Sequence, residues 1–183
     1  MTTFDESRDI EFMLEALKEA RMALDEGEVP IGAVAVRDGK VIARGHNRRR
    51  ALNDITAHAE MQCLREFDPN SNGLYLEGVT IYSTLEPCSM CSGAMIHYGC
   101  SRVVYGAKDL KLGASGSRYN FLEDAGIDVS SGVLDEECRE ILYGFFKSAS
   151  TVSCASTTTG RTPHERARTR ATAGSGVHAM TGW

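Results

Sequence analysis

Apolar residues recur at three- and four-residue steps between Asp5 and Glu26, at Ile10, Met13, Leu14, Leu17, Ala20, Met22, Ala23 and Leu24. This spacing predicts an amphipathic helix, stopped by the polar segment DEGEVP. Two short runs rich in Val and Ile, IGAVAV and VIARG, flank RDGK, in which Asp38-Gly39 is a hairpin-turn pair. They predict two antiparallel strands. The polar stretch HNRRRALND leads to a helix expected from near Thr56 to about Phe67, closed by the turn-forming residues DPNSNG. VTIYST then reads as a buried strand, CSGAMIHYG as a helix ended by Gly99, and RVVYG as another apolar strand. Residues 117–126 predict a short helix, IDVSSGV a further strand, and DEECREILYGFF a last amphipathic helix. Strands alternating with helices imply crossover units and a sheet covered on both faces, an α/β class of fold.

The pattern changes after Lys147. From there the chain is rich in Ser, Thr, Gly and Ala, with almost no large apolar residue before Trp183. Such a segment buries too little apolar surface to offset the entropy of ordering it. The expected organisation is one domain over residues 1–148 and a disordered tail containing Ser, Thr and Arg over 149–183. The 183 residues, 42% apolar and 25% charged, suffice for one domain with a full core.

Charge separates the two parts. The tail beyond residue 150 carries four arginines against Glu165, so the −5 of the whole chain leaves −8 on the body. An acidic body does not advertise a nucleic-acid partner, although the local patches at Arg48–Arg50 and at Lys108, Lys111 and Arg118 remain available for one. No apolar run is long enough to span a bilayer, and the first residues are acidic where a targeting peptide would be basic. No membrane association and a cytoplasmic location are expected. In a reducing compartment, closely spaced cysteines read as metal ligands. Only Cys88 and Cys91 have that spacing, while Cys63, Cys100 and Cys138 fall inside apolar segments as small core residues.

TAHAEMQC, at residues 56–63, and TLEPCSMC, at 84–91, carry the candidate chemistry. Three residues apart on the first turn of a helix, Cys88 and Cys91 face the same way, and the positive end of the helix favours thiolates there. Pro87 suits the start of such a helix. With His58 they make three ligands for Zn2+, the number that leaves a fourth position for water. Glu60 is the proton carrier such a site needs. Residues two apart on a helix point in roughly opposite directions, so both face the metal only if His58 sits in a frayed first turn. A purely structural zinc site needs a fourth ligand, for which His97, Cys63 and Cys100 are the remaining candidates.

His-x-Glu followed by Pro-Cys-x-x-Cys is the signature of zinc nucleobase deaminases. Residues 29–147 resemble the cytidine-deaminase-like superfamily, most closely bacterial tRNA-specific adenosine deaminases, through EVPIGAV, GHNRR, TAHAE, TLEPCSMCSGAMIH, RVVYGAKDLKLGASGS and GVLDEEC. The resemblance implies a three-layer α/β/α fold with a central five-stranded mixed sheet, a homodimer, zinc on His58, Cys88 and Cys91, and Glu60 as proton shuttle. It also implies that Asn47 hydrogen-bonds the target base and that Asp109 lies near the ribose. From residue type alone, Asn47 reads equally as a strand-end turn residue, and Asp109 as a cap or turn residue.

Three departures bear on substrate. Asp54 is followed by Ile55 where the tRNA enzymes usually have Pro. NFLEDAGIDVSS is shorter than their corresponding segment, and the last helix ends GFFKSAS without their basic residues. Adenosine in a tRNA anticodon loop is the leading expected substrate. A free base or nucleoside, of cytosine or guanine type, is the alternative, and the acidic body suits it. A non-catalytic deaminase fold that binds RNA or a protein partner is the third reading.

Overall fold

In the computed structural model of the chain, the described residues are 6–68, 70 and 73–155, with only the backbone described for 149–155. Their order is α1 (Glu6–Asp25), β1 (Gly32–Arg37), β2 (Lys40–His46), α2 (Ala59–Glu66), β3 (Thr80–Leu85), α3 (Ser89–His97), β4 (Arg102–Ala107), α4 (Phe121–Asp124), β5 (Asp128–Ser131) and α5 (Asp135–Ala155). The strands form one five-stranded sheet in the order β2-β1-β3-β4-β5. β1 is antiparallel to both β2 and β3, whereas β3, β4 and β5 run parallel. The sheet is therefore mixed, with the hairpin at one edge and crossover units at the other.

Alternation along the strands divides the core in two. Ala33, Ala35, Ile81 and Val103 face one way and pack with Ala59 and Cys63 of α2, Cys91 and Met95 of α3 and Leu122 of α4. Val34, Val36, Tyr82 and Val104 face the other way and pack with Phe12, Met13, Ala16 and Leu17 of α1 and Cys138 of α5. Successive side chains on a strand point to opposite faces, so a sheet covered on both sides needs strands that are apolar throughout. The result is the expected three-layer α/β/α arrangement.

Contact across each layer is close. A Cβ on Gly45 would lie 2.2 Å from the Cys63 nitrogen and 2.5 Å from the Ala59 oxygen, so only glycine lets α2 sit on β2. On the α1 side Asp9 is buried and accepts two 2.7 Å hydrogen bonds from the Arg102 guanidinium and one of 2.8 Å from the Tyr82 hydroxyl.

The structure differs from the sequence pattern at four places. Of the apolar positions on α1, Ile10, Leu14, Met22 and Leu24 are exposed; the buried stripe is Phe12, Met13, Ala16, Leu17, Ala20 and Ala23. Helix α2 starts at Ala59, not near Thr56, because Asp54 Oδ1 accepts from the backbone nitrogen (2.8 Å) and hydroxyl (2.7 Å) of Thr56 and holds that stretch as a turn. Helix α4 is a single turn, since residues 113–120 are held as a loop in which Ser115 pairs with Asn120. Helix α5 runs on to Ala155. The segment SASTVSCA lowers hydropathy but holds no Gly or Pro to stop a helix. A compact body ends at Lys147. The remainder of the tail expected to be disordered, residues 156–183, lies outside the described residues. Among the described residues no helix is long and apolar enough to cross a membrane.

Candidate metal centre and active site

Two helices begin at one point. His58 is the N-cap of α2, with φ −71° and ψ 159°, and Cys88 is the N-cap of α3, with φ −74° and ψ 171°. Both are extended residues at the edge of a helix, which is how His58 escapes the helical phase that would turn it away from Glu60. Pro87 accordingly precedes the cap and does not occupy the first helical position expected for it. Cys91 is the third residue of α3, so its thiol and that of Cys88 lie on the same side.

Cys88 Sγ is 3.6 Å from His58 Nδ1 and 3.6 Å from Cys91 Sγ, and Cys91 Sγ is 3.8 Å from His58 Nδ1. Zinc bonds of about 2.3 Å to sulfur and about 2.0–2.1 Å to nitrogen, at a tetrahedral angle, require edges of about 3.8 Å between sulfurs and about 3.6 Å from sulfur to nitrogen. The three donor atoms fit one face of that tetrahedron. Among the described residues they are the one group of three or more His, Cys, Asp or Glu side chains placed to hold a metal ion. The fourth-ligand candidates are elsewhere. Cys63 and Cys100 are buried in the core, Cys100 against the carbonyls of Val79 and Arg102, and exposed His97 stacks edge-on against Tyr98.

Glu60 is buried, with Oε2 3.5 Å from Cys91 Sγ and Oε1 3.5 Å from the Ser83 hydroxyl. Burial first, and then the negative charge of Cys88, push its carboxyl up to about 7. The two cysteines shift in opposite directions. The hydrogen bond with Cys91, then that with His58, holds Cys88 down at about 4, while Cys91 is pushed up by Cys88 and by burial. The Cys88 contact raises His58. Two cysteines that bind metal as thiolates, with the Glu60 carboxyl beside them, form a negative arrangement that a divalent cation would compensate.

The two expected substrate positions lie at the ends of strands. Asn47 follows the last residue of β2, is 3% exposed, and donates through Nδ2 to Glu28 Oε2 at 3.1 Å. Asp109, two residues past β4, caps a turn: its Oδ1 accepts from the backbone nitrogens of Lys111 (2.9 Å) and Leu112 (3.1 Å). Each is tied to a buried glutamate that pattern reading passed over. Glu28 Oε1 also accepts from the backbone nitrogens of Arg50 (2.7 Å) and Ala51 (2.9 Å). Glu86 accepts from the Asp109 nitrogen at 3.1 Å and from two further residues of the same loop. The signal for both was a lone carboxylate against an apolar strand, in EVPIGAV and TIYSTLEP.

The family model for the cytidine and deoxycytidylate deaminase zinc-binding region matches residues 6–107. A tRNA-specific adenosine deaminase of Bacillus subtilis is 46% identical over 145 residues, which is 77% of this chain and 90% of that protein. The chloroplastic tRNA(adenine(34)) deaminase of Arabidopsis thaliana is 42% identical over 74% of this chain and 12% of its own length. A solved structure from work on A-to-I editing by tRNA:A34 deaminases at the wobble position matches with a TM-score of 0.68 and 46% identity, over 72% of this chain and 99% of that one. A guanine deaminase from Nitrosomonas europaea, 24% identical, shares the fold with a TM-score of 0.66 over 74% of this chain and 83% of its own. The matched motif, the donor triangle and the adjoining carboxylate agree: this chain belongs to the cytidine and deoxycytidylate deaminase zinc-binding family and is a zinc-dependent hydrolytic deaminase.

Proposed function

We propose that the chain converts adenosine to inosine in the anticodon loop of tRNA, with zinc held by His58, Cys88 and Cys91. The observation that carries the chemistry is the three-donor triangle with a non-ligand carboxylate, Glu60, 3.5 Å from one of its corners. The identity of 41–46% to bacterial proteins named tRNA-specific adenosine deaminases supports the choice of base and of RNA. Bound zinc supplies a Lewis acid that activates water near neutral pH.

The protein's own residues do the rest. Glu60 takes a proton from the attacking water, passes it to the ring nitrogen beside C6, and then carries the proton of the new C6 hydroxyl to the amino group leaving as ammonia. One water is consumed, the C6–N bond breaks and a C6 carbonyl forms. Glu60 is buried between Cys91 and Ser83, which restricts where its carboxyl can go. Asn47 contacts the base and Asp109 lies near the ribose. The target nucleotide enters unpaired, since its reactive edge is out of reach in a stacked helix. Residues 1–148 form the deaminase domain, two copies associate, and the protein works in the cytoplasm.

Zinc-loaded protein assayed side by side on an adenosine-containing anticodon stem-loop and on free adenine, guanine and cytosine tests the reading. Inosine in the RNA is the expected product. Ammonia released from free bases alone would overturn the tRNA assignment.

A further inference from the structure

We propose that Glu86 is a positioning residue that clamps the segment 108–118 beside the metal cluster, and that the clamped segment engages the RNA around the target nucleotide. The inference rests on the tRNA reading above. Glu86 is 2% exposed, directly follows β3 and stands two residues before Cys88. Its Oε1 accepts from the backbone nitrogens of Ser115 and Ser117, both at 3.0 Å. Its Oε2 accepts from the Asp109 nitrogen at 3.1 Å and from the Ser117 hydroxyl. Each oxygen thus takes two donors, and all four come from one loop. A carboxylate buried this fully is tolerated only when donors replace its hydration, so carboxylate and loop order one another.

Space tells the same story. A Cβ on Gly113 would lie 2.3 Å from Glu86 Cδ, 2.4 Å from its Oε1 and 2.5 Å from the Asp109 oxygen. The loop closes directly onto the carboxylate. The Ala114 nitrogen donates to the Pro87 oxygen at 2.9 Å, and Cys88 pairs with Gly113 across a single bridge. The strand end that leads into the metal cluster is the same strand end that holds the loop.

The outer side of the segment has a different character. Lys108, Lys111 and Arg118 are exposed, as are Leu110 (78%) and Leu112. Three exposed cations against the one carboxylate of Asp109 leave this segment +2 on a body of net charge −8, which suits a phosphate backbone, and apolar side chains beside them suit the faces of unstacked bases. A loop of this composition with no strand or helix of its own recognises a shape only if something fixes it. Glu86 supplies that fixation without touching substrate.

Two variants disturb the clamp from opposite sides. Glu86→Gln presents an amide NH2 to backbone N–H groups whichever way it is turned, because each carboxylate oxygen faces at least one of them. Gly113→Ala keeps Glu86 and pushes the loop off it. Both full-length, zinc-loaded variants are assayed on the anticodon stem-loop, with zinc per chain and tryptic cleavage after Lys108, Lys111 and Arg118 as further readouts. The expected result is KM raised by about tenfold or more, kcat within about threefold, unchanged zinc and faster cleavage. Unchanged KM, a fall in kcat at constant KM, or loss of zinc from both variants would overturn the inference. A wild-type chain that leaves the RNA untouched defeats the substrate reading, whereas wild-type turnover matched by both variants defeats only the role of Glu86.

Discussion

The Nδ2 group of Asn47 donates a 3.1 Å hydrogen bond to Oε2 of Glu28, and both side chains are buried. Because Glu28 accepts, the nitrogen of the amide must face it, and the Asn47 oxygen is turned away. A residue of ambiguous orientation thereby presents one defined edge. Replacing Glu28 with Ala strands Asn47 Nδ2 and the nitrogens of Arg50 and Ala51. The expected loss is about 3 kcal/mol in urea unfolding, with a fall in kcat/KM on RNA. A variant as stable and active as wild type would show that the contact does not organise the site.

Glu60→Gln keeps shape and burial but removes the proton carrier. Turnover is expected to fall by about 10²–10⁴-fold, while zinc per chain stays at the wild-type value because Glu60 is not a ligand. Metal analysis and single-turnover inosine formation on one preparation check both halves. Retained turnover would return the site to a structural role.

Cys88→Ser and Cys91→Ser each remove a corner of the donor triangle. Both variants are expected to lose zinc on dialysis and to lose activity, and chelation of the wild type should lower its melting temperature, with zinc restoring it. A variant that retained stoichiometric zinc would exclude that cysteine as a ligand.

Asp9 gives a pH dependence remote from the metal. Burial works to raise its pKa, but the hydrogen bonds from Arg102 and Tyr82 and the Arg102 charge prevail and hold the carboxyl below its usual value of 3.8. A depressed folded-state pKa contributes stability that is present above the unfolded value and is lost as pH falls through the folded one. Asp9→Asn is therefore expected to destabilise by about 1–3 kcal/mol near neutrality, where buried Arg102 loses its two bonds to the Asp9 carboxylate while keeping Asp128 and Ser130. The gap from wild type should shrink as pH drops below about 4. Denaturant unfolding between pH 2 and about pH 7 measures it, and a pH-independent gap would rule out the ion pair as its origin.

Gly45→Ala places a methyl 2.2 Å from the Cys63 nitrogen and 2.5 Å from the Ala59 oxygen. Both are backbone atoms of α2, which cannot move without carrying the His58 cap along. About 2–3 kcal/mol of destabilisation is expected, as for overpacked cores, accompanied by weaker zinc retention. Thermal unfolding with and without added zinc checks the coupling.

The sequence by itself determined the layers, the element types and the three side chains that could hold a metal. Strand and helix periods are local properties, and the apolar runs of β1, β3 and β4 state that both faces of the sheet are covered. His58, Cys88, Cys91 and Glu60 were legible because metal chemistry restricts residue type and spacing so tightly. Their mutual distances follow from where two helices start. The start of α2 at Ala59 was not legible, since it depends on the Asp54 side chain capturing Thr56, a competition between hydrogen bonds that apolar periodicity does not record. The exposed face of α1 was misassigned for a similar reason. Its apolar residues outnumber the places the sheet offers, and only packing selects among them.

Tertiary structure alone decided the roles of Glu28 and Glu86. Each carboxylate is buried by a loop distant in sequence, 22 residues along for Arg50 and 31 for Ser117. A buried charge is stable only with its donors in place, and apart from the Asn47 amide and the Ser117 hydroxyl those donors are backbone N–H groups that every residue but proline carries. Nothing in their sequence marks them, so the chain had to fold before they could be recognised.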